Sequence, residues 1–177
     1  MSLPHALLTA LIERPGSGLE LAGRFNKSIG YFWPATHQQI YRELAKLERD
    51  GLIQSQAEAE ARGRKRTYHV LPEGRQELRR WIEQEDAPPP LRDALLVRLR
   101  AEAAVGSMSL DRALRRRRSD HQSRLTNYLS IEERDFGDGP QDKSAALQHL
   151  ILQTGIRHEA TWIEILTQAL DILHREQ

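Results

Sequence analysis

A chain of 177 residues can hold one domain or two small ones, and its 29% charged and 39% apolar content is that of a folded globular protein, which excludes a disordered chain. With 26 basic against 25 acidic side chains the formal net charge is only +1, so any affinity for nucleic acid must come from a local patch and not from the whole surface. There is no cysteine, which rules out a disulfide framework and a thiolate zinc site. The apolar stretch from Leu3 to Ile12 is too short to span a bilayer. It also lacks the basic lead-in and small-residue cleavage site of a signal peptide, so the expected location is the cytoplasm and no membrane partner is expected.

In chain order, Leu3, Leu7, Leu8 and Leu11 predict a short first helix that stops at the Arg14-Pro15-Gly16-Ser17-Gly18 punctuation. Leu21, Phe25 and Ile29 recur every four residues and predict a second helix ending near Gly30. The third helix has both ends written in. Thr36 with Gln39 makes a capping box, Pro34 disfavours an earlier start, and Gly51 can supply the left-handed residue that closes the last turn. Ile40, Leu44 and Leu47 form its buried stripe. At about 100° per residue, Gln38, Arg42, Ala45 and Arg49 lie opposite that stripe, flanked by Tyr41 and Lys46. An amide can pair with adenine and a guanidinium with guanine along a major-groove edge, although most polar helix faces are only solvated.

After Gly51 the period changes. Residues 52–58 and 65–71 are strand-length segments, with Ala61-Arg62-Gly63-Arg64 in the turn between them. Pro72, Leu78, Trp81 and Ile82 then mark a fourth helix. Three helices followed by a β-hairpin is the order of a winged helix. Arg62, Arg64, Lys65 and Arg66 concentrate positive charge at the hairpin's tip. Such a tip can be a solvated guard against aggregation, or a wing whose guanidinium groups hold phosphate or enter a minor groove. Beside the outward face of the third helix, the second reading predominates. Thr36, His37, Gln38, Tyr41, Arg42 and Lys46 on the helix, with the four wing residues, are the candidate contacts to double-stranded DNA.

These same residues carry a family resemblance. Gln39-Ile40-Tyr41, Leu44, Leu47-Glu48 and Gly51-Leu52-Ile53, continued by Arg64-Lys65-Arg66, Tyr68, Gly74, Leu78 and Trp81, resemble the PadR family of bacterial transcriptional regulators over roughly the first half of the chain. Leu71-Pro72 stands where that family usually has Leu-Thr, which implies a changed cap on the fourth helix and an unchanged fold. The resemblance implies a dimeric winged-helix repressor or activator with a helical C-terminal half. It also implies a possible small-molecule effector, since some members respond to phenolic acids.

Consecutive prolines make Asp86-Ala87-Pro88-Pro89-Pro90 a stiff linker, so the expected division is a DNA-binding domain over 1–85, a linker over 86–92 and a helical domain over 93–177. Leu91, Leu95, Leu96 and Leu99 recur at helical spacing, and a polar helix follows over about Leu110 to Arg134, ended by Gly137-Asp138-Gly139-Pro140. Arg115 to Arg118 in that helix point in four directions, so they read as a solvated and partly ion-paired run and not as a second patch. The last helix, about Asp142 to His174, has two apolar stripes. Leu152, Ile156, Ile163, Leu166, Leu170 and Leu173 form one; Leu147, Ile151, Trp162, Ile165, Ala169 and Ile172 form the other. One stripe is what a surface helix buries, so the second is the expected dimerisation face. A single monomeric bundle is the competing reading.

The sequence carries no recognisable enzyme motif. The seven histidines show no His-Glu-x-x-His pair, and there is no phosphate-binding glycine loop and no Gly-x-Ser-x-Gly elbow. Trp162, Tyr128 and His149 could line an effector pocket, but aromatics at helical spacing are usually core. The expectation is therefore a mainly α protein with a small β-hairpin, a winged helix-turn-helix followed by a helical dimerisation domain. It is expected to act without cofactor or metal as a sequence-specific homodimeric regulator, taken as a repressor, on an inverted-repeat operator. The alternative is a winged-helix adaptor that binds protein.

Overall fold

The computed structural model describes residues 3–26, 33–57, 66–87, 90–106 and 110–175. The chain forms two compact units, Met1–Pro88 and Pro89–Gln177.

In the first unit, α1 (Leu3–Glu13), α2 (Gly18–Asn26) and α3 (His37–Arg49) enclose a core of Leu7, Leu8, Leu11, Leu21, Phe25, Ile40, Leu44, Leu47 and Ile53. The predicted limits of α3 are realised by hydrogen bonds. Gln39 N–H donates to Thr36 Oγ1 at 3.2 Å and Thr36 N–H donates to Gln39 Oε1 at 2.8 Å, the reciprocal capping box. At the other end Gly51 has φ 70°, with Gly51 N–H on Glu48 O at 3.1 Å and Leu52 N–H on Leu47 O at 2.9 Å. That bond pair is the Schellman closure, and it turns the chain directly into the sheet.

The hairpin expected from the sequence forms, and the sheet gains a third strand. Strands β2 (Ile53–Ala57) and β3 (Arg66–Val70) pair antiparallel, and a third short strand, β1 (Gly16–Ser17), pairs with the other edge of β3 in the order β1-β3-β2. β1 lies inside the punctuation after α1. A two-residue strand has no periodicity to detect, and it forms because Gly16 and Ser17 come to lie opposite Tyr68 and Thr67. Ser17 also caps α2. Its N–H and hydroxyl reach Glu20 Oε2 at 2.8 and 2.9 Å, and its Oγ receives Glu20 N–H at 3.3 Å. Ser17 and Glu20 thus make a second capping box, whose Ser-x-x-Glu spacing stands openly in the sequence. α4 (Pro72–Ile82) begins with Pro72 in its first turn after an extended Leu71 that gives no side-chain cap. The expected end of the second helix at Ile29 and Gly30, and the wing residues Arg62, Arg64 and Lys65, lie outside the described residues.

In the second unit, α5 (Ala94–Val105) is followed by α6 (Asp111–Phe136) and α7 (Lys143–Arg175). α6 and α7 form an antiparallel hairpin, and Leu114, Leu166 and Leu170 with Leu95 and Leu110 make its core. Three histidine–carboxylate pairs span it: His174 with Asp111 at 3.1 Å, His121 with Glu159 at 2.5 Å and His149 with Glu132 at 2.7 Å. The run of arginines points as many ways as helical geometry requires. Arg115 pairs with Asp111 within α6, whereas Arg118 reaches Thr167 on α7.

Asp93 ties α5 to α6. It accepts from Leu95 N–H at 2.8 Å as the N-cap of α5, and it receives both terminal nitrogens of Arg117. Arg117 holds the Asp93 carboxyl below its ordinary value. Because the folded value is the lower one, this contribution to stability is full above the ordinary aspartate range and is lost as pH falls through the depressed value. Asp93→Ala should destabilise the helical unit by about 1–2 kcal/mol from the cap alone. Urea unfolding followed by circular dichroism would show it as a lower midpoint, with the difference from wild type shrinking in acid.

Candidate nucleic-acid interface

The outward surface of the first unit is built on α3. Burial of Ile40, Leu44 and Leu47 sets the helix's rotation, and the same rotation leaves Gln38, Tyr41, Arg42, Ala45, Lys46 and Arg49 exposed. Thr36 and His37 stand exposed at its N-terminal end, where backbone N–H groups favour an anion. Thr36 spends its hydroxyl on the capping box, so it positions the helix as well as bordering its surface.

The side chains differ in freedom. Lys46, itself exposed, lies 3.8 Å from a partly buried Glu43, a long contact of small energetic weight that leaves the ammonium able to exchange partners. Tyr41 is more constrained. A Cβ on Gly18 would lie 2.4 Å from its ring, so the phenol rests on the bare backbone that opens α2. Its ring packs at the margin of the exposed face, which leaves its hydroxyl at the surface. Gln38 and Arg42 extend from the middle of the exposed face, one turn apart.

Beside α3 stands the β2–β3 hairpin. Arg66, exposed, opens β3 and is the wing residue whose position is described. Ile53 opens β2 buried in the core, while Gln54 and Gln56 face outward. A rigid helix and a hairpin therefore present amide and guanidinium groups from one compact unit. Such groups suit major-groove edges and backbone phosphates respectively.

Residues 7–80 match the PadR-like transcriptional regulator family, and residues 91–174 match the C-terminal region of virulence activator alpha. The chain is 37% identical to the probable transcriptional regulator Rv1176c of Mycobacterium tuberculosis over the whole of both chains. This chain belongs to the PadR-like family of transcriptional regulators. Its fold matches the Vibrio cholerae virulence activator AphA with a TM-score of 0.82 and 30% identity, covering 99% of this chain and 100% of that one. It also matches the Bacillus subtilis PadR structure in complex with operator DNA, with a TM-score of 0.83, 21% identity and coverage of 98% and 99%. A further B. subtilis PadR structure, in complex with p-coumaric acid, matches with a TM-score of 0.78 at 22% identity, covering 98% and 99%. Like these relatives, the PadR-type chain is mainly α with a small antiparallel sheet.

In this PadR-like chain the six residues expected at a dimer face divide. Leu147, Ile151, Ile165 and Ile172 are exposed, with Ile172 at 62%, along one side of α7. Trp162 and Ala169 pack partly against the unit's own core. Trp162 is drawn inward because its ring stacks on His121 at 5.7 Å and carries the Arg117 guanidinium at 4.4 Å. Leu150 joins the exposed face instead. α5 adds Leu96, Val97 and Val105, all exposed.

The aromatic residues considered for an effector pocket are each taken up by different neighbours. Tyr128 is buried against Gly155, His149 stacks on Phe136 at 4.7 Å, and Trp162 stacks on His121. Among the described residues no group of three or more His, Asp or Glu could hold a metal ion, and no helix is long and apolar enough to cross a membrane.

Proposed function

We propose that this PadR-type regulator is a homodimeric repressor that reads an inverted-repeat operator with α3 and grips the flanking backbone with its wing. The observation that carries the reading is the juxtaposition of Gln38 and Arg42, exposed on a doubly capped helix, with the arginine-led hairpin beside it. A single short helix touches too few base pairs to select one site in a genome. Two copies related by a two-fold axis would read half-sites about one turn of DNA, or a multiple of it, apart. The exposed apolar side of α7, with Leu96, Val97 and Val105 of α5, offers a surface for that pairing. The division of the chain into Met1–Pro88 and Pro89–Gln177 supports the reading of one unit for DNA and one for assembly.

B. subtilis PadR is named a negative regulator, which supports repression as the sign of control. AphA is named an activator, so a promoter-fused reporter with and without the protein is the deciding measurement. The complex of B. subtilis PadR with p-coumaric acid makes an aromatic acid the effector class we propose first.

Selection of bound fragments from a genomic DNA pool at two salt concentrations tests the central reading. An enriched inverted repeat with a steep salt slope is the expected result, and capture of no DNA would leave the protein-binding adaptor. On the selected site, Gln38→Ala should cost about 1–3 kcal/mol at one position of each half-site and leave non-specific binding almost unchanged. A uniform loss on every sequence would mean that α3 only docks on the backbone.

A further inference from the structure

The register of the sheet directs one backbone donor at α3. Leu71 N–H donates to Leu52 O at 3.0 Å, which sets the phase of the β2–β3 ladder. In an antiparallel pair, hydrogen-bonded and non-bonded positions alternate, so Ser55, opposite Tyr68, sits at a position whose N–H points away from β3. β2 is an edge strand, and an unpaired edge donor beside a packed helix is a cost unless something accepts from it. Glu48 does. Its Oε1 accepts from Ser55 N–H at 2.8 Å, across a loop closed by Gly51 and Leu52.

Glu48 is charged, which makes this link stronger than an amide–amide bond. Hydrogen bonding from Ser55 holds its carboxyl below the ordinary glutamate value against partial burial, and the charge of Arg66 on the next strand adds to the effect. The same carboxylate helps burial push the Tyr68 phenol up. Residues 55, 66 and 68 alternate onto one face of the sheet, so one carboxylate bears on both strands of the hairpin from the back of α3.

We propose that Glu48 is a positioning residue which sets the angle between α3 and the hairpin, and so places Arg66 relative to the base-reading face. The proposal rests on the DNA-binding reading for its consequence but not for its mechanism. Loss of the carboxylate frees the outer edge of β2 and lets the hairpin swing, while α3 keeps its own core contacts through Ile40, Leu44 and Leu47.

The test uses the full chain with Glu48→Leu and Glu48→Gln. Amide hydrogen exchange, without DNA, should show Ser55 losing protection about tenfold or more in Glu48→Leu. Glu48→Gln, whose amide oxygen can still accept, should recover most of it. On a selected operator, hydroxyl-radical footprinting of Glu48→Leu should lose the protections outside each half-site and keep those within it. Unchanged Ser55 exchange overturns the proposal whether or not DNA is bound. So does a footprint that fades uniformly, because that is the mark of general destabilisation. If the wild-type protein protects no DNA while Ser55 behaves as expected, the DNA reading fails and the clamp stands.

Discussion

Replacing Ile151 and Ile165 with glutamate should leave the proposed homodimer monomeric at micromolar concentration. Both side chains are partly exposed along one side of α7, Ile151 at 50% and Ile165 at 36%. In a two-fold dimer each would be buried twice. Since they are already about half covered, these four side chains would gain about 3–5 kcal/mol in all. That is a large part of the about 8 kcal/mol a micromolar dimer needs, and Leu147, Leu150 and Ile172 on the same side add the rest. The substitution removes that gain and adds four carboxylates with no partner. Operator affinity should fall by about a thousandfold or more, towards non-specific binding, because each half-site would be read alone. Sedimentation velocity measures the assembly directly. Circular dichroism should remain that of the wild type, since neither residue belongs to the buried core. A variant that still sediments as a dimer would remove this face from the assembly and return attention to α5.

The second large effect concerns a buried glycine where α4 comes close to the sheet. Gly74→Ala in α4 should lower the stability of the N-terminal unit by about 3 kcal/mol, the upper part of the overpacking range. A Cβ there would lie 2.3 Å from Leu52 O and 2.9 Å from Val70 Cγ1. The carbonyl is backbone and already accepts from Leu71 N–H, so it cannot withdraw without breaking the link between sheet and helix. In a unit of this size such a loss lowers Tm by about 10 °C or more. Gly23→Ala is the control. A Cβ at Gly23 meets nothing within 4 Å, so the same chemical change should stabilise α2 by about 0.8–1 kcal/mol. Opposite signs from one substitution would show that close approach, and not glycine's flexibility, explains Gly74. A thermal melt of Gly74→Ala at or above the wild-type value would show that α4 does not need this approach.

These two cases mark where local reading ends. The sequence by itself determined α3 almost completely, because Thr36, Gln39 and Gly51 act within one turn of the ends they cap and Ile40, Leu44 and Leu47 repeat at the period of one buried face. That stripe settled which side chains point outward, so the helical part of the candidate interface was legible before any coordinates. The strands of the hairpin and the start of α4 at Pro72 were legible for the same reason. Ser17 and Glu20 carried a further local signal, and the box they form would have placed α2's first turn.

Tertiary structure alone decided the rest. Gly16 and Ser17 become a strand only because β3, some fifty residues on, offers them an edge. Glu48 finds Ser55 only once the Schellman turn has folded β2 back beside α3. In α7, periodicity placed two apolar stripes but could not say which members the chain would keep. Trp162 is claimed by Arg117 and His121 of α6, whose arrival depends on the packing of the α6–α7 hairpin, while Ile151, Ile165 and Ile172 meet no such neighbour. Capping and amphipathicity act over a few residues and can be read from spacing. Strand pairing, close approach at glycine and the choice between self-burial and partner burial depend on groups far apart in sequence, and these are fixed only when the core closes.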